Sequence, residues 1–147
     1  MQVNLPPLVT DIALSVDDRE LFVSCWGTGE LKRYDVSDPA QPRETGSVRI
    51  GGIVDRSPHS AAGPVNGGPQ MVEVSRDGKR VYLTNSLYAS WDAQFYPEGI
   101  DGWFVKLDSN GDLALDPDFF VTFDGERPHQ VRLQGGDASS DSYCFPS

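Results

Sequence analysis

The residues of this 147-residue chain that could carry chemistry are few: two histidines, two cysteines and a short acidic turn. Imidazole and thiolate are ligands of transition metals, so His129 is the first candidate metal ligand and Cys25 a weaker one. Asp137 and Asp141 follow His129 beyond a Gly-Gly pair. Carboxylates placed there could orient a ligating histidine by hydrogen bonding.

Each candidate also has a structural interpretation. His129 could hydrogen-bond loop backbone, and the two aspartates are common turn residues beside glycine. For His59, which follows Pro58 in a Gly/Pro-rich loop, a solvated loop histidine is the favoured interpretation. A buried structural thiol is favoured for Cys25. Cys25 and Cys144 lack CxxC spacing, so two free thiols are favoured over a disulfide.

Overall composition excludes several classes of partner. Asp and Glu number 22 against 12 Lys and Arg, which gives a formal charge of −10. Such a chain repels phosphate backbones and anionic membranes. Residues 1–8 have neither a basic start nor an apolar core, so a cytoplasmic location is expected, or a periplasmic one if a signal precedes Met1.

The positioning elements are predicted by an internal repeat. Residues 12–24 and 71–84 each alternate apolar and polar positions on either side of a turn, at Asp17-Asp18 and Asp77-Gly78. This pattern is typical of β-hairpins, and two further strand patterns follow each hairpin. Fifteen Gly and eleven Pro favour short strands over helices, with one short helical turn expected at residues 89–95. The prediction is an all-β fold with two four-stranded units, as in a β-propeller.

A third copy of the unit starts near the end of the chain. Residues 128–133 align with residues 69–74, which places His129 at the position of Gln70 and, in the first unit, of Thr10. We therefore expect a strand at residues 129–133 whose partners lie N-terminal to Met1. The predicted organisation is a blade at 8–50, a loop at 51–68, a second blade at 69–124, and a ring-closing strand and tail at 125–147.

Several motifs resemble the selenium-binding protein family, which includes methanethiol oxidase. They lie in the family's order along nearly the whole chain, and the aromatic block at residues 85–97 is the most specific of them. The sequences are LVTDIALS from residue 8, LKRYDVSDP from 31, GGPQM from 67, DGKR from 77, NSLYASWDAQFYP from 85 and HQVRLQGGDASSD from 129.

The resemblance implies the C-terminal portion of a seven-bladed β-propeller that needs N-terminal blades to close its ring. It also implies oxidation of a small alkyl thiol, with O2 and water, to aldehyde, hydrogen sulfide and hydrogen peroxide. Copper held by histidines is the implied cofactor, with His129 as one ligand, and the portion alone is expected to be inactive. Selenium attachment is implied at a cysteine of the N-terminal region.

This chain departs from the family pattern at two positions. Many members carry Asn where this chain has Cys25, and His where it has Thr28. If that histidine contributes to the family's metal site, this chain lacks one ligand. A non-catalytic propeller that binds selenium species or protein partners is the alternative function. A lactonase-like propeller enzyme is a third, against which the block at residues 85–97 argues. The aromatic residues Trp91, Phe95 and Tyr96 are interpreted as packing between blades.

Overall fold

The computed structural model describes residues 5–137 and contains two four-stranded antiparallel sheets with one short helix. Its first sheet has the order β1-β2-β3-β4, and its second the order β10-β9-β8-β7. A two-stranded ribbon, β5-β6, lies in the connecting loop. The elements are β1 Val9–Leu14, β2 Glu20–Cys25, β3 Glu30–Asp35, β4 Arg43–Arg49, β5 Pro58–His59, β6 Gly63–Pro64, β7 Met71–Val74, β8 Arg80–Thr84, α1 Ala89–Phe95, β9 Gly102–Asp108 and β10 Ala114–Phe123. The predicted all-β class is confirmed, and the arrangement is consistent with two consecutive units of a propeller.

The two hairpins repeat in register as well as in sequence. Leu14 pairs with Leu21 in the first sheet, as Val74 pairs with Val81 in the second. Their turns use the same hydrogen bonds, since each serine hydroxyl donates to the aspartate two residues later, at 2.7 Å from Ser15 and 2.6 Å from Ser75. The bond from Ser75 and the backbone N–H of Lys79 lower the pKa of Asp77 to about 2. Position by position, the two units can therefore be compared directly.

One hydrophobic core lies between the two sheets. Its buried residues come from β2 and β3 of the first sheet, from β7, β8 and β9 of the second, and from the connecting segments. They are Phe22, Leu31, Ile50, Val65, Val72, Val74, Val81, Leu83, Trp103, Val105, Leu107 and Leu113. The opposite face of β1 stays open, with Ile12 60% and Leu14 48% exposed. The equivalent positions on β7, Val72 and Val74, are buried because the first sheet covers them.

The two ends of the loop at residues 51–68 meet through a close glycine contact. Gly51 has φ 63°, in the left-handed region, and an added Cβ there would overlap the carbonyl oxygen of Gly67. That same oxygen accepts a hydrogen bond from the N–H of Gly52 at 2.8 Å. Only a residue without a side chain allows backbones to approach this closely in this conformation.

The segment at residues 129–133 has no strand structure in the described chain. Its predicted partner strands belong to polypeptide outside this chain, so the ring-closing strand stays a prediction. The Thr84 hydroxyl donates to the His129 carbonyl at 3.0 Å, and further along the chain the Arg76 N–H donates to the Asp137 carbonyl at 2.7 Å. Alternation of side chains indicates a strand only where a neighbouring strand completes the ladder. In the described part of the chain, α1 is the only helix, and no helix there is long and apolar enough to span a membrane.

The repeat supplies two equivalent positions, one buried and one exposed, at which the same kind of substitution can be compared. Val74→Ala should lower the free energy of unfolding by about 2 kcal/mol, because Val74 is fully buried and two methyl groups and their packing are lost. Leu14→Ala at the equivalent exposed position should change it by about 0.5 kcal/mol or less. Urea unfolding of both variants tests this, and equal losses would show that the intersheet core is not where the structure places it.

A second pair of variants tests the glycine contact. Gly51→Ala should destabilise the chain by about 3 kcal/mol or more, because backbone strain and overlap with Gly67 act together. Gly78→Ala is the control, since Gly78 also has a positive φ of 70° but open space around an added Cβ. It should cost about 1 kcal/mol. Similar melting temperatures for the two variants would contradict the close approach.

Candidate functional site

Hydrogen bonds place the three repeat-equivalent residues Thr10, Gln70 and His129 in series. The Thr10 hydroxyl donates to the Gln70 carbonyl at 3.2 Å. The Gln70 N–H donates to the Thr84 carbonyl at 2.7 Å, and the Thr84 hydroxyl donates to the His129 carbonyl at 3.0 Å. Thr10 lies in β1 and Gln70 immediately precedes β7, the strands through which the two sheets meet, whereas His129 follows β10. We call this line of residues the inner edge.

Side chains along the inner edge differ in their exposure. Gln70 is 3% exposed, and its amide oxygen is buried without a hydrogen-bond partner among the groups that the structure describes. His129 is exposed, and its ring centre lies 6.4 Å from that of Tyr88, which is 63% exposed. An imidazole in this position is open to a ligand or metal approaching from outside the described part of the chain.

His59 is a buried structural residue, so its interpretation as a solvated loop histidine is wrong. It is 1% exposed, and its ring packs against Phe120 with centres 5.0 Å apart. The Ala61 N–H donates to Nδ1 at 3.1 Å, so Nε2 carries the proton and donates to the Asp116 carbonyl at 3.0 Å. Both ring nitrogens are therefore occupied in joining the loop to β10. The sequence could not show this, because Asp116 lies 57 positions from His59.

Cys25 lies at the end of β2 and is 2% exposed. Burial, with a smaller effect of the Glu30 carboxylate, raises the pKa of its thiol. By register, Cys25 is equivalent to Asn85 in the second unit. The Asn85 side chain makes three hydrogen bonds, to the Asn66 and Asp101 carbonyls and from the Trp103 N–H. A thiol cannot reproduce these bonds, and a raised pKa disfavours the thiolate form that metals bind.

Asp137 contacts β8 in the described structure. Its carboxylate accepts from Arg80 at 3.0 Å, and the Tyr82 hydroxyl lies 3.5 Å away. Arg80 also pairs with Asp77, so the acidic turn is fastened to the second hairpin. The structure shows these partners and not the suggested pairing with His129. Asp141, the other carboxylate suggested for that role, lies outside the described residues.

Two aromatic side chains of the 85–97 block pack around Trp26, which is fully buried. Ring centres of Phe95 and Tyr96 lie 5.6 and 5.8 Å from that of Trp26, both edge to face. Burial raises the pKa of Tyr96 to about 12. Trp91, by contrast, is 47% exposed on α1. Asp92 is a buried carboxylate that forms an ion pair with Arg127, and it was not among the residues selected from the sequence. Its position as a single aspartate within an aromatic block was the signal that could have indicated it.

The described residues do not form a complete metal site, since they contain no group of three or more His, Cys, Asp and Glu side chains placed to hold an ion. His129 is an exposed imidazole, a side chain of the type that copper accepts as a ligand. His59 is occupied internally and Cys25 is buried as a thiol, so neither adds to that position.

Comparison with known proteins identifies the relatives of this chain. The family model described as 56kDa selenium binding protein matches residues 1–144. The chain belongs to the selenium-binding protein family. Human methanethiol oxidase is 43% identical to it, over 94% of this chain and 35% of the human protein. Selenium-binding protein 1 of Arabidopsis thaliana is 38% identical, over 94% of this chain and 34% of the plant protein.

A solved structure agrees with this membership. The hypothetical selenium-binding protein from Sulfolobus tokodaii superposes with a TM-score of 0.88 at 58% identity, over 97% of this chain and 32% of that one. The resemblance found in the sequence motifs is thereby confirmed. The chain spans about a third of the length of the curated relatives it matches.

Replacing each of the two histidines with alanine should have a different effect on stability. His59→Ala should reduce the free energy of unfolding by about 2 kcal/mol or more, since two hydrogen bonds of about 1 kcal/mol each and the ring packing on Phe120 are lost. His129→Ala, at an exposed position, should change it by about 0.5 kcal/mol or less. Chemical denaturation of both variants measures the difference. A larger loss at His129 would reverse the roles assigned to the two residues.

Proposed function

We propose that this chain is part of a copper-dependent thiol oxidase in which His129 supplies one imidazole ligand. The observation that carries the proposal is the exposed His129 at the inner edge of a chain that is 43% identical to human methanethiol oxidase. The substrate class is a small alkyl thiol. With O2 and water, the thiol would be converted to aldehyde, hydrogen sulfide and hydrogen peroxide.

Copper, when bound, would accept electrons from the thiol and pass them to O2. The contribution of this chain is to hold one imidazole at a fixed place and to close one side of the site. The Thr84 hydroxyl donates a hydrogen bond to the backbone carbonyl of His129, and the Tyr88 ring lies beside the His129 imidazole. The Tyr88 ring offers an apolar surface beside the imidazole that suits an alkyl group.

The remaining ligands would come from polypeptide outside this chain. A copper centre needs several donors, and the described residues contain no group of three or more His, Cys, Asp and Glu side chains that could hold an ion. The relatives are about three times as long, so their remaining two thirds are the natural source of the other ligands. The open face of β1, with Ile12 and Leu14, is where a preceding propeller unit would pack. On this proposal, the chain alone is inactive.

Complementation tests the proposal. The 147-residue chain should be co-expressed with the two thirds of the Sulfolobus tokodaii relative that it does not cover. The complex should retain copper and form hydrogen peroxide when methanethiol is added. His129→Ala should lower copper affinity by about 100-fold or more, because even loss of a group that only orients a ligand costs about 10–100-fold. Gln130→Ala, at the exposed neighbouring position, is the control and should behave as the unchanged chain.

Two results would contradict the oxidase proposal. One is a folded complex in which His129→Ala retains copper and peroxide formation at the level of the Gln130→Ala control. The other is a folded complex that carries no copper but retains selenium from labelled selenite. The second result would support the alternative function, a non-catalytic selenium-binding protein, which the family's own name suggests.

A further inference from the structure

The side chain of Asp92 is an ionisable group inside the packing of the aromatic block. It lies on α1 and is 3% exposed. A carboxylate removed from water at this depth requires a positive partner, because an unpaired buried charge is costly. The guanidinium of Arg127 supplies it. Arg127 is itself about one third exposed, so the ion pair joins the interior to the surface segment that follows β10.

Arg127, the more exposed member of this ion pair, lies two residues before His129 in the sequence. The segment from residue 124 to 133 has no strand ladder. Besides the Glu126 N–H bond to the Phe123 carbonyl at 3.3 Å and the close approach of Gly102 to Glu126 and Pro128, side-chain contacts hold it. Three such contacts converge on it. Arg127 meets Asp92, the Thr84 hydroxyl binds the His129 carbonyl at 3.0 Å, and the Tyr88 ring lies 6.4 Å from the His129 ring. Tyr88 immediately precedes α1, so the helix carries two of the three contacts.

We infer that the Asp92–Arg127 ion pair is a latch that positions His129 for its ligand. Asp92 and Arg127 are positioning residues, since they act on the imidazole through the backbone between residues 127 and 129. The inference rests on the proposed function for the identity of the ligand, but the effect of the ion pair on His129 does not depend on copper. A metal ligand must be held in one orientation, and groups that orient ligands are a large part of metal affinity.

Neutral variants of either partner should release the segment. In Asp92→Asn, the buried group keeps its shape but loses its charge, and in Arg127→Gln the change is made at the more exposed partner. Arg127→Lys keeps the positive charge and is the conservative control. In the full 147-residue chain, His59 and His129 are the only histidines, so each gives its own imidazole NMR signal.

Without metal and at fixed pH, Asp92→Asn and Arg127→Gln should shift or broaden the His129 signal and raise amide exchange at residues 127–130. The His59 signal should not change, because His59 is bound to the Asp116 carbonyl at β10. Arg127→Lys should remain close to the unchanged chain. In the copper-binding complex, the two neutral variants should lower copper affinity by about 10–100-fold.

The results can refute the latch and the proposed copper function independently of each other. A His129 signal and amide exchange that stay unchanged in both neutral variants would overturn the latch. Equal changes at His59 and His129 would also overturn it, since the ion pair would then support the fold as a whole. A selective change at His129 in a complex that binds no copper would uphold the latch and refute the proposed function.

Discussion

The apolar interface between the two four-stranded sheets is the contact on which the rest of the structure depends. Core residues from both sheets belong to a single cluster. An antiparallel sheet of four short strands cannot bury enough apolar surface by itself, so it needs a second layer. The repeat shows the effect at one position. Val74 is fully buried where a sheet covers it, whereas its equivalent Leu14 is 48% exposed.

This interface also determines where chemistry can occur. Because β1 and β7 meet at the inner edge, Thr10 and Gln70 come within hydrogen-bonding distance, and Thr84 extends the line to His129. The close glycine contact at Gly51 brings the two ends of the long loop together, and His59 within that loop joins it to β10 of the second sheet. One histidine thus serves the fold and the other remains available at the surface. Their different roles follow from which backbone segments surround them.

Local pattern was sufficient to predict both hairpins, the strands after them and α1 at Ala89–Phe95, since alternation and turn residues act over short distances. The strand expected at residues 129–133 stays a prediction, because alternation cannot report whether a partner strand is present. His59 was misread, and Asp92 overlooked, for a related reason. Their partners, Asp116 and Arg127, lie 57 and 35 positions away, and only the folded chain brings them together. His129 could be selected from the repeat, but its attachment to α1 could not.

Native-state hydrogen exchange is the most direct test of the claim that the two sheets form one cooperative unit. Amides of β2 and β3 in the first sheet should open with the same free energy as those of β8 and β9 in the second, because both sheets lose their shared core in one event. Added denaturant should lower both values in parallel. A second sheet that stays protected while the first exchanges through a separate opening of much lower free energy would contradict the account.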